Sequence, residues 1–275
     1  MESSSQPIQP HSAAALLSIP RLTEAQIEAA VDLLLDLRSG ATEADDFPAE
    51  LIPQSTLDVQ RILDLVREAL DRPARGWKVH SANRGLNPPF VCPVYDVFDN
   101  DASIPRAMSP ELIAEPEIMF KAVRDLPASD RNYSIPEIME AVTAVIGCEV
   151  LRSRFRPTIR YGDRAVFALF SDNIGNGCVV VGDEIPNWQD VEFEDVRLTV
   201  EVDGKEVASV VGAHLSDNPF LPVVMCVNRV RRRADIHAGE ILVTNATTSF
   251  FEVPVGSLLR CTYHGLGEVR MTFAP

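Results

Sequence analysis

Two glutamates two positions apart, Glu115 and Glu117, interrupt the otherwise apolar run Ile113-Ala114-Glu115-Pro116-Glu117-Ile118-Met119-Phe120. In an extended chain residues i and i+2 point to one face, so the two carboxylates repel each other unless something positive lies between them. A hard divalent cation meets that need, and so does an Arg or Lys partner. A solvated strand face is the plain structural alternative. Glu149 shifts the balance, because it is embedded in a second apolar run, Thr143 to Leu151, where an unpaired charge is costly. Three carboxylates make an oxygen-ligand set for Mg²⁺ or Mn²⁺ that leaves positions open for water and substrate.

The other isolated charge is Lys78, in Gly76-Trp77-Lys78-Val79. It is either a snorkelling surface lysine or a proton-transfer group, since burial and a nearby cation both lower a lysine's pKa toward useful values. His80 is a candidate acid/base group or a structural histidine beside a strand. Asp172 and Asn173, at the end of an expected helix, either orient a ligand water or cap backbone groups. Arg152 and Arg154 follow Glu149 at odd spacing and so share one strand face, where either can offset the carboxylates or hold a second substrate carboxylate. The run Arg229, Arg231, Arg232 and Arg233 reads as the solvated end of a helix. Asp99-Asn100-Asp101 opens like an EF-hand loop, but no glycine at the sixth position and no glutamate at the twelfth follow.

Elements that position these residues can be read from periodicity. Thr23 is an N-cap and Gly40 a stop for a helix whose apolar face is Ile27, Ala30, Val31, Leu34 and Leu35. A second helix starts at Ser55 or Thr56, carries Leu57, Val59, Ile62, Leu63, Val66 and Leu70, and breaks at Asp71-Arg72-Pro73. Beyond it the texture becomes β, with strands expected over 76–79, 90–98, 113–120, 145–155, 178–181, 196–202, 207–212, 241–244, 258–263 and 268–273. Asp203-Gly204 marks a hairpin, and helices are expected over 164–170 and 221–232. Residues 1–20 read as a disordered tail, 21–75 as a helical layer and 76–275 as one β-rich catalytic domain.

Composition narrows the function classes. The chain of 275 residues, 46% hydrophobic and 24% charged, is an ordinary globular sequence rather than a disordered or fibrous one. Its 25 Lys and Arg against 40 Asp and Glu give a net charge of −15, which repels phosphate backbones and anionic membranes. Nucleic acid and membrane are therefore not expected partners. The five cysteines show no CxxC motif and no dense framework, so they read as reduced and mostly buried. With neither a signal-peptide pattern nor the ~18 apolar residues of a membrane span, the expectation is a cytoplasmic protein.

The order of several short motifs then resembles a family. GWK (76–78), EPE within a strand (115–117), CEVLRSR (148–154), Ser171-Asp172-Asn173 with Gly177, GAHLSDNP (212–219), AGEILVT (238–244) and GLGEVRMTF (265–273) together resemble the fumarylacetoacetate hydrolase superfamily. The N-terminal helical layer with STLDVQRIL looks like its 2-oxopent-4-enoate hydratase and 4-oxalocrotonate decarboxylase branch. The resemblance covers roughly residues 22–273. It implies an α+β fold, a β-rich mixed roll or barrel with an N-terminal helical layer, in a homo-oligomer. It also implies one Mg²⁺ or Mn²⁺ held by Glu115, Glu117 and Glu149, with Lys78 beside the substrate.

Departures from the pattern fall on the organic half of the site. His80-Ser81-Ala82 stands where the family continues with Gly-Leu-Thr, and an acidic residue of the hydratases falls on Phe90. The turn after Asp-Asn becomes Ile174-Gly175-Asn176-Gly177, and a late turn becomes Thr244-Asn245-Ala246-Thr247-Thr248. Candidate catalytic residues are Lys78, His80 and Asp172; candidate substrate-binding residues are Asn173, Thr244, Asn245 and Thr248. The expected activity is a metal-dependent lyase of the hydratase type on a 2-oxo or 2-hydroxydienoic acid. Decarboxylation of a vinylogous 2-oxo acid, hydrolysis of an acylpyruvate, and a binding or scaffold descendant of the same fold are the alternatives.

Overall fold

A computed structural model describes residues 21–80, 89–155, 166–212 and 218–275. Helix α1 (Glu24–Ser39) is closed at its start by a Thr23–Gln26 capping box and at its end by Gly40 in the left-handed conformation, φ 76°. Helix α2 (Thr56–Leu70) begins where the Ser55 hydroxyl accepts from Asp58 N and ends at Asp71. The two pack through Ile27, Ala30, Val31, Leu34, Ile62 and Val66. A second face of α2, Val59 and Leu63, joins a different cluster with Phe90, Cys92, Phe170 and Ile174.

The strands follow as β1 (Gly76–His80), β2 (Phe90–Val94), β3 (Val97–Asp99), β4 (Ala102–Ile104) and β5 (Ile113–Ala122); then, after α3 (Ile135–Met139), β6 (Val142–Leu151). Helix α4 (Val166–Ser171) precedes β7 (Asn176–Ile185), β8 (Arg197–Val202) and β9 (Lys205–Val211); α5 (Phe220–Val230) precedes β10 (Ile241–Val243), β11 (Phe251–Glu252), β12 (Leu258–Tyr263) and β13 (Gly267–Phe273). One sheet runs β2-β1-β10-β5-β6-β7-β3, with β11 also on β5; the other runs β4-β13-β12-β8-β9. The fold is α+β, as expected.

Only Tyr95 and Asp96 separate β2 at one end of the large sheet from β3 at the other, so that sheet rolls round until its ends meet. The single strand expected over 90–98 is therefore two, because the chain must leave β1 and join β7 within two residues. Alternation along β5 and β6 gives the roll two kinds of face. Ala114, Ile118 and Phe120, with Ile146, Cys148 and Val150, pack outward against Leu198, Val200, Tyr263 and Phe273 of the second sheet. Met119 and Val145 point inward, with Val94, Val179, Ile241 and Val243. Strands buried on both faces read as nearly unbroken apolar runs, and the inward-facing carboxylates stand out in them for that reason.

Helix α2 also covers the edge of the roll. Gln60 Nε2 donates to Val91 O at 3.0 Å and Val91 N donates to Gln60 Oε1 at 2.9 Å, so a side-chain amide takes the place of a further strand beside β2. The 21–75 layer is thus hydrogen-bonded into the roll.

Other expectations need correction. The strand expected over 145–155 starts at Val142 and stops at Leu151, where Arg152 N turns to Gly175 O at 2.8 Å. Arg152 and Arg154 therefore lie beyond the strand and share no face with Glu149. The arginine run after α5 is not simply solvated: Arg231 is 2% exposed and its guanidinium donates to Ser129 O and Asn132 Oδ1. Helix α3 went unread, although Ser134-Ile135-Pro136-Glu137 is a capping box with proline in the first turn. The expected hairpin is present, with Asp203 at φ 52° and Gly204 at φ 76° joining β8 to β9. The 1–20 tail, Ser81 and Ala82, and residues 213–217 of GAHLSDNP lie outside the described residues.

Close approach of β1 to β10 requires glycine at position 76, where a Cβ would overlap the Ile241 carbonyl. Gly76→Ala is expected to cost about 1–3 kcal/mol of overpacking and to lower the thermal midpoint by several degrees, as scanning calorimetry would show.

Candidate functional site

Glu115 and Glu149 are directly opposite each other on β5 and β6, and Glu117 is opposite Gly147. One oxygen from each of the three glutamates lies within 4.8 Å of the others. Glu117 is 1% exposed and Glu149 is fully buried. Glycine at 147 keeps the third inward position of β6 clear, because a Cβ there would run into the Met119 side chain.

Lys78, on the inward face of β1, reaches across the roll and donates from Nζ to Glu149 Oε2. The other oxygen, Oε1, accepts from Asn176 Nδ2 at 2.8 Å. Among the described residues no donor group reaches either buried oxygen of Glu117, whose carboxyl lies against that of Glu149. Burial first, and then the charge of Glu149, holds the Glu117 carboxyl well above the usual carboxylate range, with Lys78 opposing. Two buried Glu117 oxygens that no donor reaches among the described residues, beside two further carboxylates, are what a divalent cation would satisfy, so the donor set fits such an ion.

The carboxylates open into a cavity of about 320 Å³. Its floor is Lys78, Glu115 and Glu117, one wall is aromatic, and its lip is the segment after β10. That lip exists because the sheet parts: β10 pairs with β5 only at Phe120 and Lys121, β11 only at Ile113 and Ala114, and the chain between them loops out. Pro116 lies in this gap, where its missing N–H breaks no ladder, and its carbonyl accepts from Thr247 N at 2.9 Å. Thr244, Asn245 and Thr248 line the cavity from the loop. Thr244 Oγ1 donates to Ile118 O at 2.9 Å, which pins the loop to β5 beside the glutamates.

The aromatic wall holds His80, 6% exposed and packed between Phe90 and Phe170 with ring centroids 5.0 Å and 4.3 Å away. Phe90 is fully buried in this stack, so the position compared with an acidic residue of the hydratases carries apolar surface. Ile174 completes the wall from the turn between α4 and β7, where Asn173, Ile174 and Gly175 are all left-handed, with φ of 56°, 55° and 70°. For a β-branched residue that conformation costs ~1–3 kcal/mol. The strain holds Ile174 against the cavity while Asn176, two residues on, reaches Glu149.

Asp172 and Asn173 are not brought to this cavity. Asp172 is fully buried and its carboxylate accepts from Arg154 N at 2.7 Å and from Arg154 Nη1 at 3.3 Å. Asn173 Nδ2 donates to Pro93 O at 3.2 Å. The capping alternative holds for both, and Arg154 offsets Asp172 rather than the glutamates. Asn176 was missed as a site residue; its one signal is a polar residue opening a strand two positions before Cys178 in an otherwise apolar stretch. The five cysteines are all free and buried, as expected.

No family model matches the chain. Over 259 residues it is 25% identical to a 2-keto-4-pentenoate hydratase of Paraburkholderia xenovorans (strain LB400), covering 90% of this chain and 94% of the relative. Over 191 residues it is 25% identical to a 4-oxalocrotonate decarboxylase of Pseudomonas putida, covering 66% of this chain and 69% of the relative. Among solved structures, 4-oxalocrotonate decarboxylase from Pseudomonas putida G7, complexed with magnesium and adipate, superposes with a TM-score of 0.71 at 19% identity, over 92% of this chain and 98% of that one. The chain is therefore similar in sequence to a 2-keto-4-pentenoate hydratase and a 4-oxalocrotonate decarboxylase, and it shares the fold of a 4-oxalocrotonate decarboxylase.

Proposed function

We propose that the chain is a divalent-metal-dependent lyase of the hydratase type, acting on a 2-oxo or 2-hydroxydienoic acid. The observation that carries this reading is the cluster of the buried Glu117 and Glu149 with the half-buried Glu115, with no donor among the described residues on either Glu117 oxygen, at the floor of a cavity that fits a small acid. These three residues would hold Mg²⁺ or Mn²⁺. When bound, the ion supplies Lewis-acid stabilisation to the negative charge that develops on a 2-oxo acid as it enolises.

The chain's own residues do the rest. Lys78 is the one lysine at the cavity, and its Nζ carries the proton exchanged with the substrate carbon skeleton. Asn176 holds Glu149 in place, leaving Lys78 on the opposite oxygen. Thr244, Asn245 and Thr248 bind the far end of the substrate, and the wall of His80, Phe170 and Ile174, backed by the buried Phe90, packs against its apolar carbons and excludes water. His80 is the second candidate for proton transfer. Decarboxylation or acylpyruvate hydrolysis is the second reading, favoured by one feature: among the described residues the wall of His80, Leu169, Phe170 and Ile174 carries no carboxylate to direct water to an alkene. A homo-oligomer, supported by the family relationship, and a cytoplasmic setting, supported by five unpaired buried thiols, complete the proposal.

Glu117→Gln is expected to weaken Mn²⁺ binding at least tenfold by isothermal titration and to abolish turnover; unchanged binding would remove the site assignment. Lys78→Met is expected to keep the metal while lowering kcat by about 10²-fold or more, whereas undiminished turnover would exclude Lys78 from proton transfer. Incubating the protein with 2-hydroxypenta-2,4-dienoate, 4-oxalocrotonate and an acylpyruvate, and comparing water addition, CO₂ release and C–C cleavage, separates the three reactions. Sedimentation giving only a 30.3 kDa species would contradict the oligomer.

A further inference from the structure

Behind the turn that bears Ile174, four guanidiniums converge on a second cavity of about 220 Å³. Arg38 comes from the last turn of α1, Arg72 from the chain after α2, and Arg152 and Arg154 from the segment after β6, with Tyr95 and Asn176 in the same wall. Two of the arginines are matched: Arg72 pairs with Asp96 at 2.6 Å and Arg154 with Asp172 at 3.3 Å. Among the described residues neither Arg38 nor Arg152 has a carboxylate within ion-pair distance, although Arg38 feels Asp172, and Arg152 feels Asp172, Glu111 and Asp96, at longer range. Two buried polar atoms at this cavity also have no hydrogen-bond partner among the described residues, Arg38 Nε and the hydroxyl of Tyr95, a residue 8% exposed.

Such a concentration of like charge is unexpected in a chain of net charge −15. Its strain is visible in the titration of its members: burial first, and then the charge of Arg154, brings Arg38 down to about 10 and lowers Arg152 in the same way. Orphaned donors and mutually repelling guanidiniums are both relieved by one kind of occupant, an anion that accepts several hydrogen bonds at once. We propose that this cavity is a binding site for a small oxyanion, a phosphate or an organic carboxylate, held by Arg38 and Arg152 and by the Tyr95 hydroxyl. Guanidinium forks match the paired oxygens of either group, and the volume suits a small anion rather than a peptide. The site is separate from the glutamate cavity, whose own charge is negative, but adjoins it. Asn176 donates to Glu149 from its side chain while its carbonyl accepts from Arg154 Nη2 at 2.8 Å.

Isothermal titration of the full-length protein with inorganic phosphate, and separately with malonate, at ionic strength fixed with sodium chloride, tests this. Saturable binding of at least one of them at one site per chain is expected, weakened at least tenfold by Arg38→Gln and by Arg152→Gln and unchanged by Glu117→Gln. Binding of phosphate alone identifies a tetrahedral anion, and binding of malonate alone a carboxylate. Tyr95→Phe, which removes only the unpartnered hydroxyl, gives a smaller loss of affinity and serves if an arginine variant does not fold. Absence of saturable binding for both anions, affinity unchanged in the arginine and Tyr95 variants, or a loss in Glu117→Gln equal to theirs would overturn the proposal.

Discussion

Carboxylates enclosed by a sheet repel one another and lose their hydration, so they persist only where positive charge is delivered among them. Glu115, Glu117 and Glu149 meet that condition in part through Lys78, which is seated on Glu149. The remainder, Glu117 with two oxygens that no donor reaches among the described residues, is what makes the place a site rather than a buried ion pair. Everything around it follows from keeping these groups together. Two long strands set Glu115 and Glu149 in register, and period-2 alternation turns their neighbours outward into the main core. Glycine at position 76 lets β1 lie close enough to β10 for Lys78 to cross the roll.

The cavity over the carboxylates is built from interruptions of regular structure. Parting of the sheet between β10 and β11 releases the 244–250 loop, and the left-handed turn at Asn173 to Gly175 directs Ile174 to one side and Asn176 to the other. The polar floor is held by β strands that packing makes rigid. The walls that would meet the carbon skeleton of a substrate come from loops and from Phe170 and Ile174, members of the α2-facing cluster in which Phe90 backs them. Substitution in those walls can reshape the cavity without disturbing the carboxylates, and the sequence relatives of this chain are named both as a hydratase and as a decarboxylase.

The glutamate cluster was legible in the sequence because charge inside an apolar strand is anomalous at a single position and needs no knowledge of the partner strand. Lys78 was legible for the same reason. Helix ends at Thr23, Gly40 and Ser55 were legible through local side-chain to backbone bonds, which do not depend on tertiary context. Closure of the roll was not, since the break at Tyr95-Asp96 is imposed by the distance between two edges of a sheet. Asn176, the Asp172–Arg154 pair and the burial of Arg231 were hidden too, because each is settled by a partner many residues away, Glu149 for the first and Ser129 with Asn132 for the last.

The most direct measurement is anomalous diffraction from crystals of the protein grown with Mn²⁺ and collected above and below the manganese edge. One peak per chain is expected among the carboxylates of Glu115, Glu117 and Glu149, with oxygen ligands near 2.1 Å, about the distance small divalent ions require. Fully occupied manganese at some other position, with only protein side chains such as Lys78 meeting the three glutamates, would contradict the metal-centred reading.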